Sequence, residues 1–108
     1  MIKFDGAPET KAATAAGQVV VKEIDQNDTV RIYEATLKPG DVSPMRTRPL
    51  HAVYPINGGT LERTYEDGKK ETIHWTSGEA RIVSEPPLPY SVRNVGETVV
   101  HLFVVVPK

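Results

Sequence analysis

Short apolar, β-branched runs alternate with clusters of turn-forming residues along almost the whole chain. The runs cover residues 19–24, 29–37, 51–56, 60–65, 71–75, 80–83, 90–95 and 98–106. Each is short and drawn from strand-favouring side chains, so each reads as a strand. The punctuation between them has its own chemistry. Asp25, Asn27 and Asp28 can bond their own backbone, while Pro39-Gly40 presets one dihedral and frees the next. Asn57-Gly58 and Asp67-Gly68 carry the strongest short hairpin signal, and Gly96-Glu97 reads as the turn of a last hairpin. The glycines of these turns are expected to serve their backbone dihedrals alone. Three prolines between residues 85 and 89 remove three donors and exclude that stretch from a central strand. Strands at this spacing, with no convincing helix, predict an all-β fold: a small antiparallel β-barrel or sandwich.

Two stretches depart from the pattern. Residues 12–17 are small and weakly polar, with no apolar stripe for a helix to bury, so residues 1–18 read as an N-terminal arm ahead of a single domain at 19–108. The last strand, residues 101–106, is apolar on both faces where a half-solvated strand would alternate. Both faces are expected to be covered, the second by the arm or a neighbouring subunit, which predicts a homodimer.

Composition narrows the function classes. The chain has 108 residues and a mass of 11.9 kDa, which fits one soluble domain. Thirteen basic and fourteen acidic residues leave a net charge of −1, so no basic face is offered to nucleic acid. Cysteine is absent, which excludes disulfides, thiolate nucleophiles and cysteine metal sites. No apolar run approaches the roughly 20 residues needed to cross a bilayer. Residues 1–5 lack the apolar core of a secretory signal, so a cytoplasmic location is expected.

Several of these residues fall on a familiar spacing. Gly40 is followed after five residues by Arg46, then Arg48, His51 and, six residues on, Gly58. Gly78 is followed after five by Ser84, and Tyr90 after three by Asn94. The pattern resembles the two motifs of the cupin superfamily, with the hairpins and the stretch 93–98 in register, over roughly residues 28–106. The resemblance implies a double-stranded β-helix, the cupin jelly roll. It also puts Arg46 and Arg48 in the slots of two histidines, His51 in that of a glutamate and Tyr90 in that of a third histidine. Cupin enzymes usually hold a transition metal with three imidazoles and a carboxylate. Arginine stays protonated and offers no lone pair, and one histidine does not make a site, so no such metal or other cofactor is expected.

The same substitutions suggest other chemistry. Arg46 and Arg48, two apart on one strand face, would repel by roughly 2 kcal/mol at an effective dielectric near 20. Either they clamp a small organic anion, a carboxylate or phosphate, or they reach water at the barrel mouth and pair with acids such as Glu62 or Glu85. Arg63 either joins them in the cavity or pairs across strands with Glu71 or Glu66. If His51 faces the cavity, Val53 and Pro55 follow it, and Leu61, Arg63 and Tyr65 join from the next strand. His51 and Tyr90 could act as catalytic base and acid, as His and Tyr do in metal-free sugar epimerases of the superfamily, or be buried structural residues. His74 and His101 read as structural. Three functions stay open: an anion-binding module, a metal-independent isomerase or epimerase, and a dimeric scaffold without a ligand.

Overall fold

A computed structural model describes residues 17–84 and 88–108. Nine strands occupy them: β1 (Val20–Gln26), β2 (Val30–Leu37), β3 (Val42–Arg46), β4 (His51–Asn57), β5 (Gly59–Tyr65), β6 (Lys70–Trp75), β7 (Arg81–Val83), β8 (Tyr90–Asn94) and β9 (Val100–Pro107). They form two antiparallel sheets, one in the order β1-β2-β9-β4-β7 and the other β3-β8-β5-β6. Among the described residues there is no helix, hence none long and apolar enough to cross a membrane. Most of the expected arm lies outside the described residues, as do Glu85, Pro86 and Pro87 of the proline-rich link. Of the arm's described end, Gln18 bridges Val42 at the start of β3.

The alternation read in the sequence becomes the core. Val53 of β4, Leu61 of β5, Trp75 of β6 and Val100, Leu102 and Val104 of β9 are buried together between the sheets. β9 is the central strand of its sheet, pairing with β2 along eight positions and with β4 on its other side. Its outward residues His101, Phe103 and Val105 are half-buried, so within one chain only one face of β9 is fully covered.

Three expectations need correction. β3 is a strand that the run pattern does not contain, and Arg46 and Arg48, expected on one strand face, do not share one: Pro44 interrupts the strand, which ends at Arg46, and Arg48 lies in the loop beyond it. β3 survives as the edge of its sheet, with a register shift between Ser43 and Arg46, where a missing donor does least harm. The hairpins expected at Asn57-Gly58 and Gly96-Glu97 are not hairpins. β4 pairs with β7 and β9 while β5 pairs with β6 and β8, so the chain changes sheets at Gly58. It changes again between β8 and β9. The Asp67-Gly68 hairpin does form between β5 and β6, with Gly68 at φ +89°. Dihedrals alone do not explain the glycines either. A Cβ on Gly58 would lie 2.0 Å from the Trp75 carbonyl oxygen, and one on Gly59 2.7 Å from a Val100 methyl. Both are required by close approach, and neither has a positive φ.

Candidate functional site

The sheets leave between them a cavity of about 90 Å³. Its walls are apolar, built from residues such as Val53, Leu61, Ile73, Val92 and Val104. Register decides which end is open. At one end, Leu37 pairs with Val100, and both are sealed from solvent. At the other, Arg46 at the end of β3 pairs with Tyr90 at the start of β8, which pairs with Tyr65 at the end of β5. There Arg46 is exposed and Arg48 and His51 are half-buried, so this end is the mouth. Arg46, Arg48, His51, Arg63 and Tyr90 all line the cavity. Val53 and Leu61 line it as expected, whereas Pro55 is buried outside it and Tyr65 lies beside it.

The arginines differ in what they touch. Arg48 lies beyond β3 in the loop leading to β4, and its guanidinium is wired into the protein. One terminal nitrogen donates to the Tyr90 carbonyl and, at 3.2 Å, to the Arg46 carbonyl. The other donates to Ser43 Oγ at 2.9 Å and to the Pro44 carbonyl at 3.2 Å. Four of its five N–H groups are therefore engaged in holding the mouth together. Arg63 is almost fully buried; it faces Glu71 across the β5–β6 ladder and pairs with that carboxylate at 3.3 Å. Glu71 also accepts from the Tyr65 hydroxyl at 2.9 Å. Arg63 thus lines the cavity and pairs with Glu71 as well, but as a buried residue and not as an exposed cross-strand partner. Arg46 makes no side-chain hydrogen bond or ion pair among the described residues. Glu62, weighed as a partner for it, pairs instead with Lys70.

Tyr90 is the hub of this end. The guanidinium carbons of Arg48 and Arg63 lie 4.3 and 4.7 Å from its ring centroid, and the Tyr65 ring is 5.6 Å away. Such stacking offers cations the negative face of the ring. Even so, burial pushes the Arg48 guanidinium below its ordinary pKa; Tyr90 and Tyr33 oppose the shift, and Arg46 and Arg63 reinforce it. Among the described residues no carboxylate contributes to holding that charge. His51 places Nδ1 2.7 Å from the Pro49 carbonyl oxygen. A carbonyl only accepts, so Nδ1 carries the proton and a neutral ring keeps its lone pair on Nε2.

The donors here do not fit a transition metal. Two guanidiniums lack lone pairs, and among the described residues no three His, Asp or Glu side chains converge. His74 and His101 do not line the cavity; the first contacts Thr60 Oγ1 at 3.2 Å and the second Glu34 at 3.1 Å. Ser43, which anchors Arg48, went unnoticed in the sequence because its strand did. Asn94, noted there only for its spacing, is 1% exposed. It donates to the Leu37 and Thr98 carbonyls, both at 2.8 Å, and accepts from the Gly96 amide, joining strand ends of both sheets.

No family model and no curated protein matches the chain. Solved structures do. A cupin domain from Bordetella pertussis Tohama I superposes with a TM-score of 0.76 at 18% identity, covering 89% of this chain and 99% of that one. An RmlC-like cupin family protein with a double-stranded β-helix fold, from Methanocaldococcus jannaschii, gives 0.65 at 19% identity, covering 90% and 86%. A cupin superfamily protein from Desulfitobacterium hafniense gives 0.62 at 13% identity, covering 89% and 83%. Taken with the two-sheet topology and the glycine-guided crossings between sheets, these likenesses show that the chain has the cupin fold, a double-stranded β-helix.

Proposed function

We propose that the cavity mouth binds a small organic anion, a carboxylate or phosphate, with no metal between ligand and protein. One observation carries this reading: Arg46, Arg48 and Arg63 line one cavity, and the Arg48 guanidinium is burdened by burial and by Arg46 and Arg63 while, among the described residues, no carboxylate contributes to holding its charge, Glu71 being paired with Arg63. An anion at the mouth relieves that burden. Arg46 supplies the direct contact, its guanidinium presenting the planar fork that suits a carboxylate or phosphate. Arg48 contributes charge, its hydrogen bonds being committed elsewhere. The apolar walls take the rest of the ligand. A cavity of about 90 Å³ admits roughly six to nine water-sized atoms, so that remainder is short.

The test is thermal denaturation with a panel of small carboxylates and phosphates. A ligand that binds only the folded state stabilises it by about 2.7 kcal/mol at a hundred times its Kd. Arg46→Ala should abolish the gain while leaving the unliganded protein within about 0.5 kcal/mol of wild type, since Arg46 is exposed. A panel without effect, or a gain that survives Arg46→Ala, overturns the reading.

The lone pair on His51 Nε2 favours a second reading. In it the same anion is a substrate, with His51 as base and Tyr90 as acid in a metal-independent isomerisation or epimerisation. Its mark is a turnover lost in His51→Ala while anion binding persists.

A further inference from the structure

Lining residues give the cavity a length as well as a volume. On β2, Tyr33, Ala35 and Leu37 line it in succession, three rungs that run about 14 Å along the strand. A volume of about 90 Å³ spread over that length leaves a slot roughly one carbon chain wide. Polarity is graded along it. Arg46, Arg48 and Tyr90 stand at the mouth. One rung inward, level with Val92, Arg63 is committed to Glu71 and Ser43 to Arg48. Deeper still the lining is Ala35, Leu37, Leu61, Trp75 and Leu102, and among the described residues no polar side chain joins them. A hydroxyl or second charge placed at that depth would give up its water and find no side-chain partner.

Granted the anion site proposed above, on which this step rests, we infer the ligand class: an unbranched monocarboxylate with an unsubstituted tail of about six to nine carbons. The head is a single carboxylate because the mouth has one fork to give. Arg63 pairs with Glu71, and the Arg48 bonds go to the backbone and Ser43. That leaves the Arg46 guanidinium, whose parallel donors match the two oxygens of one carboxylate. The tail follows from the gradient. Each CH2 that leaves water for an apolar wall strengthens binding about fourfold. Chains shorter than the slot leave wall unused, and longer ones meet Leu37 and Val100, which seal its far end. Branched chains do not fit its width, since a close-packed interior yields little. Sugar acids and dicarboxylates, which carry groups that need water, are excluded by the same gradient.

Trp75, the chain's single tryptophan, reports depth. It lines the cavity level with Gly59, about 20 Å along β5 from Tyr65 at the mouth. The experiment is calorimetric titration of the full chain with the even-numbered straight-chain acids from acetate to dodecanoate. Kd should fall about fourfold per CH2 as far as octanoate and stop falling by dodecanoate. Octanedioate and 8-hydroxyoctanoate should each bind about tenfold or more weaker than octanoate. At equal occupancy, 8-bromooctanoate should quench Trp75 fluorescence more strongly than 2-bromooctanoate. Ala35→Leu, which thickens the deep lining, should move the optimum to a chain about three carbons shorter and leave acetate unaffected. Circular dichroism confirms that this variant folds, and the wild-type series decides the matter without it. Affinity that ignores chain length, while every acid still needs Arg46, leaves the mouth an anion site and overturns the tail. So does a hydroxylated or dibasic acid that binds as tightly as octanoate. If no carboxylate of any length binds, or Arg46→Ala binds them all as well, the anion site itself fails and the ligand class with it.

Discussion

Arg46 and Arg48 show how little residue type says about role. Both stand in histidine slots of the cupin spacing and both line the cavity, yet one is exposed and the other is bonded to three carbonyls and a hydroxyl. The difference comes from a single turn of backbone. β3 ends at Arg46, and the loop beyond it carries Arg48 back across the mouth to Ser43 and the Tyr90 ring. Hydrogen bonds to a charged donor contribute about 1.5–3 kcal/mol each, but burying the charge offsets part of that. Arg48→Lys keeps the charge and loses the fork, since a single ammonium cannot reach acceptors spread around a guanidinium. It should cost about 2 kcal/mol in urea denaturation, whereas Arg46→Lys should stay within about 0.5 kcal/mol. Equal losses for the two would mean that the bonds around Arg48 hold nothing together. The spacing made both positions legible; nothing local could separate them, because the acceptors of Arg48 include Tyr90, 42 positions away.

At the scale of elements, what the sequence hid was partnership. Residues 29–37, 60–65 and 98–106 announced their strands by composition, and each was found within two residues. Which sheet a strand joins is decided by surfaces far along the chain, and Asn57-Gly58 is the instructive failure. The dipeptide suits a tight hairpin, but Gly58 does not adopt a positive φ and Asn57 donates to the Val99 carbonyl. The Gly58 amide donates to Ser77 Oγ at 2.8 Å, fixing the crossing against the link between β6 and β7. The glycine is needed because the Trp75 backbone occupies the place of its Cβ. Gly58→Ala must therefore displace backbone atoms, and should cost about 3 kcal/mol or more. Gly68→Ala is the comparison. Nothing lies within 4 Å of its Cβ, and its φ of +89° carries only the left-handed penalty of about 1–2 kcal/mol. Urea denaturation of both variants checks the order, and a smaller loss at Gly58 than at Gly68 would contradict the crossing's tight packing.

For the molecule as a whole, a net charge of −1 conceals an uneven distribution. Arg46, Arg48 and Arg63 line one cavity, and Glu71, half-exposed opposite Arg63 on β6, pairs with that arginine. Cavity cations could be anticipated from the cupin spacing, while the ordering of their partners required three dimensions. The sign of the consequence follows from Arg48. Its pKa is lowered in the folded state, so protonation there opposes folding, and the cost is fully present at every pH below the folded-state value. That value stays far above the working range, because a guanidinium does not deprotonate in proteins. Raising the pH from 7 to 9 therefore cannot relieve the crowding; only a counter-anion can. The stabilisation produced by a small carboxylate should accordingly be the same at pH 7 and pH 9, at fixed ionic strength. Chloride at matched ionic strength should not reproduce it, since screening acts weakly on partly buried charges and lacks the geometry of a forked contact. Thermal denaturation in the two buffers, with and without the carboxylate, measures both differences. A gain that disappears by pH 9 would exclude a guanidinium as the anchor of the anion, and one that chloride matches would reduce the site to general screening.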